Sequence, residues 1–177
     1  MGRRNDARAR QFDELYCAHL SAVADYAARR CDEADAVDVV AETFATAWRR
    51  FDEMPTGPDA RPWLYGVARR VVANHHRGSR RRNALSERMR QEWRPKHSPP
   101  PSTALGPLQR ALEELSDDDR EILMLAGVEE LSPAEIAVAL ELTPEATRSR
   151  LSRARSRLRE KLNTETAAAA STPKETS

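Results

Sequence analysis

Two helix starts with the same chemistry fall close together in this chain, Ser132-Pro133-Ala134-Glu135 and Thr143-Pro144. In the first, the serine hydroxyl and the glutamate carboxylate can each accept the other's backbone N–H. Proline at the first helical position sacrifices nothing, because that N–H has no partner in a helix anyway. The second start repeats the cap and the proline. Between them there is room for about two turns of helix, Pro133–Leu140, and a connection of Glu141-Leu142-Thr143, so the segment is predicted to fold as a helix-turn-helix.

The helix after Thr143 carries six arginines between Arg148 and Arg159, yet it keeps a regular apolar stripe. At 100° per residue, Thr147, Leu151, Ala154, Leu158 and Leu162 share one face, predicted to pack on Ile136, Ala137, Leu140 and the helix containing Ile122, Leu123 and Leu125. Arg148, Ser149, Ser152 and Arg153 then lie in the leading turns away from the core, where a helix in a major groove presents side chains to base edges. Arginine suits that position because its planar fork bonds O6 and N7 of guanine together. Arg150, Arg155, Arg157 and Arg159 flank the stripe, where phosphate contacts are expected.

A net charge of +1 conceals segregation along the chain. Residues 61–96 hold eleven Lys/Arg against two Glu, residues 111–142 hold ten Asp/Glu against one Arg, and residues 143–162 hold seven basic against two acidic. Two basic blocks around an acidic one point to two separated contacts with a polyanion. Aromatic residues make up 5% of the chain and alternating β-branched runs are nearly absent, which predicts an all-α protein and excludes a sandwich or barrel.

Apolar residues recur at helical spacing from Phe12 to Ala28, from Val37 to Phe51 and from Trp63 to about His76, with the stretch MPTGPDARP at 54–62 breaking the second helix from the third. Residues 83–106, with PKHSPPPSTALGP, lack periodicity and are predicted to be a flexible linker whose Pro-rich portion is extended. Helices at Leu108–Leu115 and Ser116–Ala126 precede the helix-turn-helix, and residues 163–177 are expected to be a disordered tail. The prediction is two small helical domains, 7–82 and 107–162. Cys17 and Cys31 are too few for a zinc cluster or a disulfide framework and are expected to be buried thiols; Trp48 is expected in the core. No apolar run approaches the ~20 residues needed to span a bilayer, so a cytoplasmic protein without membrane insertion is expected.

The stretches DAVDVVAETFATAW (35–48) and WLYGVARRVVANHHR (63–77) resemble region two of extracytoplasmic-function sigma factors, and LSPAEIAVALELTPEATRSRLSRARSRLREKL (131–162) resembles their region four. The resemblance implies a three-to-four-helix bundle and a helix-turn-helix, and a subunit that binds bacterial core RNA polymerase and directs initiation at promoter DNA. Asp38 and Glu42, at i and i+4 opposite Val39, Val40, Phe44 and Ala47, are implied to dock on the clamp helices of the β′ subunit. The loop and helix 54–77, through Arg61, Trp63, Arg70, Asn74 and His75, are implied to read and help melt the −10 element, since melting needs cations for the backbone and flat or polar groups for unstacked bases. Helix 144–160, through Arg148, Ser149, Arg150, Ser152, Arg153 and Arg155, is implied to read the −35 element. An inhibitory anti-sigma partner is also implied. The chain departs from the family pattern at Ala41, often Gln, at Thr147, customarily Val, and at Glu141, usually Gly; the loop 54–62 lacks the usual aromatic and glycine pattern.

Two other functions bear comparison. Catalysis would have to rest on Asn74-His75-His76, but neighbouring helical residues diverge by ~100°, and no HExxH, CxxC or phosphate-binding glycine loop occurs. No enzyme, metal or cofactor is expected. A conventional helix-turn-helix activator or repressor, with residues 1–82 as sensor or dimerisation unit, needs paired recognition helices; the basic, aromatic-bearing third helix fits a second DNA contact better.

Overall fold

Side-chain caps set where most helices of this chain begin. The structure, a computed structural model, describes the backbone of residues 2–90 and 106–170 and the side chains of residues 6–78 and 106–164. Among the described residues there are seven α-helices, two short 3-10 turns and no strand. They divide into two compact units: α1 (Gly2–Ala28), α2 (Glu33–Arg49) and α3 (Ala60–Arg90) in the first; α4 (Pro107–Glu113), α5 (Asp117–Gly127), α6 (Pro133–Leu140) and α7 (Pro144–Ala170) in the second, with Val138–Glu141 grouped with the first.

In the first unit, Asp32 opens α2 by accepting the Asp35 N–H at 2.9 Å. The 3-10 turns Phe51–Glu53 and Gly57–Asp59 carry the chain from α2 to α3, with Gly57 at φ 70, a left-handed conformation that costs a glycine nothing. The three helices pack pairwise around Val23, Tyr26, Ala27, Val39, Phe44, Ala47, Leu64, Val67, Ala68 and Val71, all buried. Tyr26 and Tyr65 stack with ring centroids 5.2 Å apart. The buried Thr43 hydroxyl donates to the Val39 carbonyl at 2.6 Å, satisfying a group that would otherwise be costly to bury.

In the second unit, Ser116 caps α5 by accepting the Asp119 N–H at 3.2 Å. Arg120, the one arginine of the acidic block, closes the end of α4 by donating to the carbonyls of Leu112, Glu113 and Leu115 at 2.8, 2.8 and 3.1 Å. The reciprocal cap of α6 is complete: the Ser132 N–H donates to Glu135 Oε2 at 2.8 Å, and the Glu135 N–H to Ser132 Oγ at 3.3 Å. Thr143 caps α7 through the Ala146 N–H at 3.2 Å. Thr147, Leu151 and Ala154 of the stripe are buried with Ile122, Leu125 and Ile136, while Leu158 and Leu162 are half-buried. Thr147 is tolerated there because its hydroxyl donates to the Thr143 carbonyl at 3.0 Å.

The turn between α6 and α7 keeps the left-handed conformation without its glycine. Glu141 has φ 53, the Leu142 N–H donates to the Ala137 carbonyl at 2.9 Å, and the Glu141 N–H to the Val138 carbonyl at 3.3 Å. This is the paired hydrogen-bond pattern of a Schellman stop.

Several expectations are corrected. The third helix begins at Ala60 and runs to Arg90, past the expected end near His76 and into the first part of the expected linker, because RGSRRRNALSERMR contains good helix formers and one glycine, whose cost is about 1 kcal/mol. The rest of that linker, residues 91–105, lies outside the described residues. Helix α7 continues to Ala170 through TETAAAA, whose four alanines have the best helix propensity; residues 171–177 of the expected tail lie outside the described residues. Trp48 is exposed: its ring meets Phe12 edge-on at 5.0 Å and lies under the Arg8 guanidinium at 5.0 Å, at the rim of the bundle. Cys17 is exposed and Cys31 half-buried, since each sits at the edge of the α1 stripe or just beyond it.

Candidate nucleic-acid interface

Helix α7 sorts its polar residues into three rows. Arg148, Ser152, Arg155, Ser156 and Arg159 line an open groove of about 330 Å³ against Pro133 at the start of α6, with Leu151 at its floor. Ser149 and Arg153 face outward beside it, the Arg153 Nε–H donating to the Ser149 carbonyl at 3.4 Å. The far flank holds Arg150, Arg157 and Lys161, because these positions repeat at helical spacing on the other side of the buried stripe. All six residues expected to read the −35 element are exposed. Arg148 leans on Glu145 at 3.1 Å, one turn back at the helix start. Among the described residues, Arg150, Arg155 and Arg159 have no carboxylate within ion-pair distance.

Arg157, expected to contact phosphate, meets a carboxylate of the chain while staying half-exposed. Its guanidinium donates to Asp119 Oδ2 at 2.6 Å, and Lys161 pairs with Glu114 at 2.7 Å. Sequence reading had the acidic block in view but not its pairing, since the contact joins α7 to α5 and α4 across the fold.

On α3, Trp63, Arg70 and Asn74 share one face with Arg77, whose guanidinium donates to Asn74 Oδ1. Trp63 is half-buried under the Arg50 guanidinium at 5.5 Å. Arg50 is itself held by Glu53, its Nε–H and Nη2–H donating to one carboxylate oxygen at 2.9 and 2.7 Å; those bonds raise its already high pKa further. Arg61 and His75 do not join this row. Arg61 lies over the Tyr65 ring at 5.8 Å. His75 turns toward α2, with Nε2 3.4 Å from Glu42 and Nδ1 3.8 Å from Asp35. His76 donates from Nε2 to the Arg30 carbonyl at 3.0 Å, so the neighbouring imidazoles diverge. No group of three His, Cys, Asp or Glu side chains that could hold a metal occurs among the described residues. Arg50 and Arg77 were not singled out from the sequence, although Arg49-Arg50 precedes the expected −10 segment 54–77 and Arg77 ends it.

Asp38 and Glu42 are exposed on α2, while Val39, Phe44 and Ala47 are buried behind them. On another flank of α2, toward α1, runs an apolar groove of about 590 Å³ whose lining includes Tyr16, Ala28, Val37, Val40 and Ala41 and neither carboxylate. Val37 is 66% exposed, a large apolar contact left to solvent. Periodicity alone missed this patch, because it counts apolar positions without telling which stripe finds cover. Cys31 also lines the groove; burial first, then Asp35 and Asp32, push its thiol up, away from the reactive thiolate form.

Comparison with known proteins agrees with this layout. The family model for Sigma-70 region 2 matches residues 15–82, and that for Sigma-70, region 4 matches residues 105–158. The ECF RNA polymerase sigma factor SigL of Mycobacterium tuberculosis is 33% identical over 151 residues, covering 82% of this chain and 85% of SigL. Among solved structures, the sigma factor RpoE in complex with the anti-sigma factor NepR from Bartonella quintana superposes with a TM-score of 0.58 at 25% identity, covering 86% of this chain and 97% of that one. CnrH in complex with the cytosolic domain of CnrY gives a TM-score of 0.58 at 27% identity, covering 88% and 90%. With both regions matched in order and an all-helical two-unit fold, the chain belongs to the extracytoplasmic-function family of sigma factors, which bind core RNA polymerase and direct promoter-specific transcription initiation.

Proposed function

We propose that residues 107–162 read the −35 element through α7 and that residues 7–82 bind core polymerase and open the −10 element, with 83–106 connecting them. The observation that carries this reading is the exposed polar face of α7, with Arg148, Ser149, Ser152 and Arg153 in its leading turns beside a groove of arginines. Arg148, Ser149, Ser152 and Arg153 contact base edges; Arg155 and Arg159, further along, hold phosphates, and Arg150 holds the opposite strand's backbone.

In the first unit, the row Trp63, Arg70, Asn74 and Arg77 holds the unstacked −10 strand, with Arg61 at the entrance of the helix and His75 steadying α3 against α2. Asp38 and Glu42, exposed on α2, receive the β′ clamp helices. One solved relative is a complex with an anti-sigma factor and another a complex with a cytosolic domain, which supports an anti-sigma partner for this chain and a place of action in the cytoplasm with the polymerase. Among the described residues no helix is long and apolar enough to cross a membrane.

Base-by-base variation of the −35 element tests the assignment. Arg148→Ala or Arg153→Ala is expected to cost about 1–3 kcal/mol on the preferred sequence and to flatten preference at one or two base pairs. Arg155→Ala or Arg159→Ala weakens all sequences alike and lowers the salt dependence. A uniform loss in all four variants would reduce α7 to an electrostatic anchor and move specificity to α3.

A further inference from the structure

The far flank of α7 raises a question that its charge alone does not answer. A helix with seven cations at 143–162 would bind a polyanion from any side, yet reading bases requires one orientation in the groove. Three of those cations meet carboxylates of the chain: Arg148 meets Glu145, one turn back on α7 itself, whereas Arg157 and Lys161 meet acids from outside α7. Asp119 is only 13% exposed and meets Arg157 at 2.6 Å; Glu114, half-exposed, meets Lys161 at 2.7 Å. Arg157 and Lys161 are one turn apart on the same flank, and their partners come from α5 and from the residue that caps the end of α4. Asp119 is fixed in turn at the start of α5, where its N–H is held by Ser116. The opposite flank, along Pro133, keeps Arg155 and Arg159 without such partners among the described residues.

We propose that Asp119 and Glu114 act as internal stand-ins for phosphate, neutralising Arg157 and Lys161 on the α5 and α4 flank of the recognition helix so that DNA docks on the leading turns from Arg148 to Arg153 and along the groove side at Arg155 and Arg159. This rests on the reading that α7 is the DNA-contacting helix. A carboxylate held against a guanidinium offers the geometry a phosphate would offer, and a cation so paired releases no counterion on binding DNA. The two acids are thus specificity determinants that never touch DNA: they remove sequence-independent affinity from the wrong face and leave base contacts on the right one.

The test uses the full chain assembled with core RNA polymerase, on duplexes with a fixed −10 element and a scrambled −35 element, titrated across salt. Asp119→Asn frees Arg157. The expected result is a log–log salt slope steeper by about one, equivalent to an extra loss of about three- to fourfold in affinity between about 50 and 200 mM salt, with discrimination between promoter and scrambled −35 sequences reduced. Adding Arg157→Ala to Asp119→Asn returns the slope to the wild-type value, because the gain came from that one cation. Glu114→Gln, at a half-exposed site, releases Lys161 and shifts the slope the same way, which keeps the test decisive if Asp119→Asn does not fold. A wild-type slope in the folded single variants, or a gain that survives loss of Arg157, overturns the proposal. Arg155→Ala is the control: if it too leaves the slope unchanged, α7 is not the DNA contact, and the reading of the site fails together with the mask built on it.

Discussion

Glu130 follows α5 with φ 56, a left-handed conformation that costs an L-residue with a side chain about 1–2 kcal/mol. It is held there because the Leu131 N–H reaches back to the Leu125 carbonyl at 3.0 Å and the Leu131 side chain is buried. Glu130 itself is exposed. Glu130→Gly therefore removes strain and loses no packing, and after the entropy glycine adds to the unfolded chain the expected gain is about 0.5–1 kcal/mol. Calorimetry should show a higher melting temperature for the second unit; an unchanged or lower one would mean the turn is not strained. His19 offers a pH-dependent counterpart in the first unit. Burial, and then the nearby Arg61, hold its imidazole below its ordinary pKa. The folded state thus binds the proton less readily than the unfolded state does. Stability is complete above the unfolded value of about 6.5 and is lost as the pH falls through that range toward the depressed folded value. Thermal melts between about pH 7.5 and 5 should show a smaller decline for His19→Gln than for the wild type; parallel declines would remove His19 from the pH response.

At the scale of single elements, α2 joins two jobs: Val39, Thr43, Phe44 and Ala47 hold the bundle, and Asp38 and Glu42 face out. Asp38→Arg with Glu42→Arg is expected to abolish assembly with core polymerase in a pull-down while the bundle stays folded, because the buried face of α2 is untouched and the Glu42–His75 contact that is lost lies at the surface, worth about 1 kcal/mol or less. Retained assembly would take the docking role away from this face. Helix starts were legible from the sequence because caps are local chemistry, as the Ser132–Glu135 and Thr143 bonds show. Helix ends were less so. No cap or proline stops α3 after His76 or α7 after Leu162, and propensity carries both onward until some other signal intervenes. The stripe of α2 was legible as well, but Trp48 sits where that stripe reaches the rim, and periodicity does not tell which rim position another helix will cover. The same limit hid the groove beside Val37 and the pairing of Arg157 with Asp119, both products of tertiary contact.

On the scale of the whole molecule, two helical units each present a cationic row, proposed above to contact DNA, and the first adds exposed carboxylates and an apolar groove on α2. Base contacts on two units joined by a long connection gain little from each other unless something fixes their spacing. Core polymerase is that scaffold, so the free chain should bind duplex DNA weakly, with a salt dependence set by phosphate contacts. The most direct measurement is transcription from a promoter library by purified core polymerase with and without this chain, alongside duplex binding by the chain alone. The expected result is initiation at a narrow promoter class only when chain and core are combined, with weak and unselective binding by the chain alone. Tight, sequence-specific duplex binding by the isolated chain, with no new initiation on adding it to core polymerase, would contradict the assignment.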